Sequence, residues 1–302
     1  SFTVDKEGSN EISFYSVDQA GNKETAHTVE VKIDRTAPVT VSDAPAVWSK
    51  EDVTVKLTST DAQSGVVQTF YSIDGTAYAE GSTLTVRDEG IHKVTFYSVD
   101  KVGNIETANT AVVRIDKTAP VITMNLKEEY QAGATLQLTY SALDTLSGIV
   151  TEKMTVTRPN GATEDVKQNS SIILDEPGVY TVTVTVTNAA GLSTKLTKQF
   201  GAYIQAAISV TPNVIKGNKG VFTVRVDLPN GYSSQGFDLN TVTLNGVKAL
   251  NSNNGYYNQA KNGQFKFERS DFDWTGTEVT LHLRGYVNGV LVMGETTVKV
   301  QK

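Results

Sequence analysis

Cysteine is absent from all 302 residues, which excludes disulfides, thiol chemistry and cysteine–zinc sites. Histidine is scarce, with only His27, His92 and His282, each in a separate stretch of chain. A histidine-based triad would need distant segments to converge, and no Gly-x-Ser-x-Gly elbow accompanies them. An excess of basic charge is also missing. The formal net charge is −6, whereas a nucleic-acid partner wants a basic stripe over its phosphates. No apolar run approaches the roughly 18–20 residues that a membrane-spanning helix needs, so membrane insertion is not expected. No stretch carries a clear helical period. The first residues read as mid-strand with no signal peptide before them, which predicts a piece excised from something longer.

Strand-forming sequence and repetition fill the chain instead. Hydrophobic residues make up 39 % of it, enough to build cores, and the length suggests two to four domains. The pentapeptide Phe-Tyr-Ser-Val-Asp occurs at 14–18 and 96–100, with Phe-Tyr-Ser-Ile-Asp at 70–74. Sliding residues 1–38 by 82 positions lays them on 83–120 with more than half of the positions identical, from Val4/Val86 to Thr36-Ala37-Pro38/Thr118-Ala119-Pro120. A diverged third copy follows. "DTLSG" at 144–148 echoes "DAQSG" at 61–65, and "GVYTVTVTVTNAAG" at 178–191 echoes "GIHKVTFYSVDKVG" at 90–103. Internal repetition at this period is the mark of a modular array.

The "D(R/K)TAPV" strings at 34–39 and 116–121 read as short extended joints, because proline disfavours helix in the residue before it. They divide the chain into the C-terminal half of a module (1–34), a complete module (35–117), a relative (118–203) and a distinct final segment (204–302). Val53, Val55 and Leu57 alternate with Thr54 and Lys56, and Tyr180, Val182, Val184 and Val186 alternate with threonines. This is the period-2 pattern of half-buried antiparallel strands. With turn signals every 8–12 residues, each module reads as a small β-sandwich. The expected fold class is all-β, a tandem array of immunoglobulin-like β-sandwich modules. "DEPGVY" at 175–180 suits a tyrosine corner, with Tyr180 pinning the bend. The pentapeptide aspartates fit turn positions, as at Asp74-Gly75 and Asp100–Asn104.

The pattern "DxTAPV…SGV…FYSIDG…EGIHKVTFYSVDKVGNIE" resembles the tandem bacterial immunoglobulin-like repeats of secreted Gram-positive proteins. It covers residues 1–117, and 118–203 look like the related polycystic-kidney-disease-type module. Segment 238–300, with "DLNTVTLNGV" and "FKFERSDFDW", resembles an accessory module found beside such repeats. The resemblance implies a secreted or cell-wall-associated location and a non-catalytic array. Its expected partners are the catalytic or adhesive domains of one parent protein, such as a multi-modular polysaccharide-degrading enzyme, or else polysaccharide or cell wall. Modules of about 40 Å each joined by short Thr-Ala-Pro linkers suit a spacer.

Chemistry beyond scaffolding has three candidates. Turn aspartates and asparagines are hard-cation ligands, so Asp18, Asp34, Asp61, Asp100, Asn104 and Asp116 are either calcium ligands or plain turn formers. No stretch has the EF-hand spacing. In the last segment Tyr256, Tyr257 and Trp274 are candidate sugar-stacking rings. The two tyrosines lie in an Asn/Gly-rich loop, 251–263, while Phe265 and Phe267 alternate with Lys266 as core residues do. Paired carboxylates for glycoside hydrolysis need a cleft, and Glu128-Glu129 reads as a solvated turn. "LPNG" at 228–231 lacks the threonine of a sortase signal. A Lys–Asn isopeptide bond needs a buried acid that sequence does not reveal.

Overall fold

Alternation along 53–57, 94–100 and 180–186 leaves one apolar face per segment, and such a face is stable only against a second layer. The computed structural model describes residues 1–250 and 256–301. It follows that rule throughout: the chain is all-β, with immunoglobulin-like sandwich modules in tandem. Two compact units result. One holds residues 1–120 with 144–150 and 187–193, the other residues 121–143, 151–186 and 194–302.

The first unit opens with a hairpin of strands Gly8–Phe14 and His27–Ile33. A sandwich follows. Strands Val39–Ser42, Val53–Thr60 and Thr83–Val86 form one sheet. The facing sheet runs in the order Trp48–Ser49, Asn109–Ile115, Gly90–Asp100, Val66–Ile73, Ala79–Glu80. Val53, Val55, Leu57, Leu84 and Val86 from the first sheet meet Val94, Phe96, Val113 and Ile115 from the second. Each such side chain contributes roughly 1.5–3 kcal/mol when fully buried. In the pentapeptide at 96–100 the inward residues are Phe96, Ser98 and Asp100, all buried. The Ser98 hydroxyl bonds those of Thr40 (2.7 Å), Ser59 (2.7 Å) and Thr69 (2.9 Å). Buried polar atoms are tolerated only when so paired.

Strands Thr163–Val166, Ile149–Thr157, Gly178–Asn188 and Ser193–Gln205 lie side by side, the greater part of them in the second unit. Tyr180 is fully buried. Its hydroxyl accepts the Glu176 backbone N–H at 3.2 Å and lies 3.3 Å from Asp175 Oδ1, which closes the tyrosine corner. Strand Ser193–Gln205 runs past residue 203, so that Ile204 and Gln205 pair in parallel with Val292 and Met293. The final segment packs Ala207–Thr211, Val221–Asp227 and Gln264–Glu268 against the sheet of Phe237–Leu244, Glu278–Val287 and Val290–Gln301. Phe222, Phe265 and Phe267 fill the space between them.

Two expectations are corrected. Tyr256 and Tyr257 do not lie in a loop but begin a helix, Tyr256–Lys261, anchored by buried Ala260. At six residues it is too short for a period to show. Residues 251–255 of the expected loop lie outside the described residues. Glu129 is not in a solvated turn. It sits in strand Glu129–Gln131, and both its carboxylate oxygens accept from the Arg284 guanidinium.

Candidate functional site

The joints are densely bonded polar sites. Asp34 Oδ1 accepts the Thr36 N–H at 3.0 Å, the Asx turn expected where an extended linker must start. Glu7 Oε1 accepts the Arg35 N–H (3.2 Å), the Thr36 hydroxyl (2.5 Å) and the Gln63 amide (3.1 Å). Eighty-two residues on, Asp116 Oδ1 takes the Thr118 N–H at 3.0 Å, and Glu89 takes the Lys117 N–H and the Thr118 hydroxyl. One aspartate and one glutamate thus hold the backbone of each Asp-x-Thr-Ala-Pro linker.

Around Asp34 the fold assembles a cluster. Carboxylate oxygens of Asp34, Asp61 and Asp100 lie within 4.8 Å of one another. Asp34 Oδ2 also takes the Ser64 N–H (2.9 Å), and Asp61 Oδ1 takes those of Gln63 (3.1 Å) and Gly65 (2.6 Å). Asp100 Oδ1 takes the N–H groups of Val102 (3.0 Å) and Asn104 (2.8 Å), and its Oδ2 takes the Asn104 amide (2.7 Å). The Ser64 hydroxyl is close enough to Asp34 to favour the charged form and hold that carboxyl below its ordinary range. Its oxygen is fully buried, yet among the described residues no partner lies in good hydrogen-bond geometry to it. Burial pushes the Asp100 carboxyl up. The Asn104 amide and backbone N–H groups outweigh that and hold it below the usual carboxylate range.

The second joint repeats this geometry with one exchange. Asn188 stands where the first joint has Asp100, and its Oδ1 accepts the Leu192 N–H at 2.8 Å, as Asp100 Oδ1 accepts that of Asn104. Its Nδ2 donates to Asp116 Oδ2 (3.0 Å), Asp144 Oδ2 (3.1 Å) and the Thr118 carbonyl (3.0 Å). The Ser147 hydroxyl, equivalent to that of Ser64, donates to Asp116. Here two carboxylates converge on an amide. In the first joint three carboxylates face one another, with like-charge repulsion that a hard cation would relieve.

Of the six residues proposed as cation ligands, the fold therefore gathers Asp34, Asp61 and Asp100 and brings Asn104 against them. Asp116 belongs to the second cluster. Asp18 stands apart at the exposed end of the hairpin. Its carboxylate is taken up by Ala20 N–H, Asn22 N–H and the Asn22 amide, and this last bond most of all holds it below its ordinary range. Ser64, Asp144, Ser147 and Asn188 are further members of the two clusters. The echoes of "DAQSG" in "DTLSG" and of "SVDKVG" in "VTNAAG" were the signal for them.

The three aromatic candidates differ in exposure. Tyr257 is exposed, with Lys261 Nζ 4.6 Å from its ring centroid, while Tyr256 is half-buried. Trp274 packs edge-on against Phe222 at 5.5 Å, and its indole N–H donates to the Arg269 carbonyl at 2.7 Å. Both its ring and its polar handle are engaged within the module. Each histidine is engaged locally. His27 stacks on Phe14, His92 bonds Asp74, and His282 lies 3.5 Å from Glu295 at the surface.

No protein-family model matches the chain, and no curated protein matches it. Among solved structures it is similar to the fibronectin(III)-like modules of Clostridium thermocellum CbhA, with 14 % identity and a TM-score of 0.32 over 54 % of this chain and 94 % of that one. It is also similar to the D1–D4 ectodomain fragment of ICAM-5, with 12 % identity and a TM-score of 0.42 over 98 % and 84 %. A third is a tetra-tandem repeat in the extending region of a large adhesion protein, with 14 % identity and a TM-score of 0.32 over 98 % and 82 %.

Proposed function

We propose that the chain is a non-catalytic module array that separates and orients other parts of a secreted or cell-surface protein. The observation that carries this reading is the clamp built twice, Asp34 with Glu7 and Asp116 with Glu89, on two copies of the same linker. A linker whose backbone donors are held by side chains flanking the ends of the adjoining strands resists bending, where a Gly/Ser linker would not. The sequence resemblance supports a Gram-positive, polysaccharide-degrading parent. The test is passage of the whole chain over insoluble polysaccharides and purified cell walls. A spacer flows through every matrix. Selective retention that is lost in Tyr257→Ala would instead assign glycan binding to the last segment, with Tyr256 and Tyr257 as its platform.

A second reading concerns the first cluster. We propose that Asp34, Asp61 and Asp100 hold a divalent cation, calcium being suited to carboxylate and hydroxyl oxygens. Two observations favour it, the unpartnered buried Ser64 hydroxyl and the amide donor that the second joint supplies at the corresponding position. Calcium is expected to raise the unfolding temperature of the native chain and leave that of Asp100→Asn unmoved, since the variant copies Asn188. An unfolding temperature indifferent to millimolar calcium would rule this out and leave the spacer reading intact.

A further inference from the structure

An edge strand carries backbone groups that another strand can pair. In the complete module Asn109–Ile115 is half such an edge. Trp48–Ser49 pairs with it in parallel, but only at Arg114 and Ile115. The chain reaches Trp48 from Val39–Ser42 of the facing sheet by way of Pro45, which has no N–H to offer a ladder. The Asp116 N–H donates to the Ser49 carbonyl at 2.8 Å. By the strand's period of two, the N–H and C=O groups of Thr110 and Val112 point the same way, toward the open edge. Among the described residues no strand lies there to meet them.

Beside that edge a slot of about 510 Å³ opens between the two sheets. Thr40 and Ala44 line one side of it, and Phe96, Ala111 and Arg114 the other. Val41 and Val112, 60 % and 39 % exposed, form an apolar rim. The next module treats the same place differently. There Glu129–Gln131 pairs in parallel with Gly201–Tyr203. Three residues before Gly201 stands Lys198, as Ala111 stands three residues before Arg114. Lys198 shares the strand side of buried Phe200 and Ala202, yet is itself exposed. A lysine set inward on an edge deters an added strand. Alanine does not.

We infer that the edge at Thr110–Val112 and the slot beside it are a docking site for an extended polypeptide segment, which adds a strand to the sheet. The seat continues the one that Trp48–Ser49 occupies, and the incoming backbone pairs with Thr110 and Val112. Every second side chain of the segment enters the slot, where Ala111 leaves space for a β-branched residue. Arg114 is the charged side chain in the lining, and its guanidinium holds the Ala46 carbonyl at 3.4 Å. The segment therefore carries a carboxylate for it. A second copy of the chain fits less well, because pairing edge to edge about Ala111 sets alanine against alanine and leaves the slot unfilled. The inference is independent of any cation at the first joint.

The test titrates the whole chain with the acetylated and amidated pentapeptide Thr-Val-Glu-Val-Thr. At about ten times its Kd, exchange of the Thr110 and Val112 amides is expected to slow by about ten-fold, because only the free fraction exchanges. The Ala111 and Val113 amides, already in the ladder with Gly90–Asp100, should change little. Ala111→Lys, which copies Lys198, is expected to abolish the slowing while the Val94 amide keeps its native protection. The same peptide with glutamine for glutamate should bind about three-fold more weakly, a readout that needs no change in the protein. Unchanged exchange at millimolar peptide, slowing spread evenly over residues 110–113, or slowing that survives Ala111→Lys overturns the inference. So does a native chain that sediments as a dimer with Thr110 and Val112 already protected.

Discussion

His92 shows how one side chain can make stability depend on pH. Its Nδ1 lies 2.8 Å from Asp74 Oδ2 and its Nε2 2.8 Å from the Asp88 carbonyl. Both ring nitrogens thus face acceptors, and only the imidazolium satisfies both. The Asp74 hydrogen bond is the main cause that raises the His92 pKa above 6.5, and the same bond lowers that of Asp74. The histidine's contribution is therefore fully present below 6.5 and lost as pH rises through its raised value. The aspartate's is present above 3.8 and lost as pH falls through its lowered value. The pair stabilises most between those limits. Asp74→Asn tolerates the left-handed φ of 52° at this position. Its unfolding temperature should fall furthest below that of the native chain near pH 5 and approach it by pH 9, as measured by calorimetry. A gap independent of pH would contradict the pairing.

At the scale of elements, some structure was legible and some was not. Asp74-Gly75 announced its hairpin, and the structure gives both residues positive φ, 52° and 79°, as the two-residue turn demands. Asn288-Gly289 carries the same signal with 49° and 79°. The joints were legible as Thr-Ala-Pro linkers, and their aspartates as turn residues. What folding adds is convergence, since Asp61 and Asp100 reach Asp34 from turns distant in sequence. Ser98 was not legible as a buried residue, because its partners Thr40, Ser59 and Thr69 come from three other strands. The Glu129–Arg284 pair spans 155 residues, a separation that local pattern cannot read. The linker clamp makes its own prediction. In Glu89→Ala the Lys117 amide should exchange about ten-fold faster, having lost a charged acceptor. That of Thr118, still held by Asp116, should change little. Equal effects on both would mean that Glu89 is not the local clamp.

For the whole chain, module boundaries in sequence and units in space are different things. The division at 203/204 falls inside strand Ser193–Gln205, whose last residues pair with Val292 and Met293. Arg284, with its pKa raised chiefly by Glu129, joins the same two segments. Residues 121–203 and 204–301 should consequently unfold together. Exchange at Val184 and at Phe267, followed through a denaturant series, should report one midpoint. Two separated midpoints would show that the sequence boundary is also a thermodynamic one.

The exchange of Asp100 for Asn188 leaves the turn intact, because either side chain keeps the Oδ1 that receives the N–H four residues on. Only the second oxygen becomes nitrogen. Aspartate and asparagine codons differ by a single base, so the charge at a joint lies one point mutation from reversal of its role. Gene duplication can then lengthen such an array, and each new copy can be edited one nucleotide at a time with its fold undisturbed.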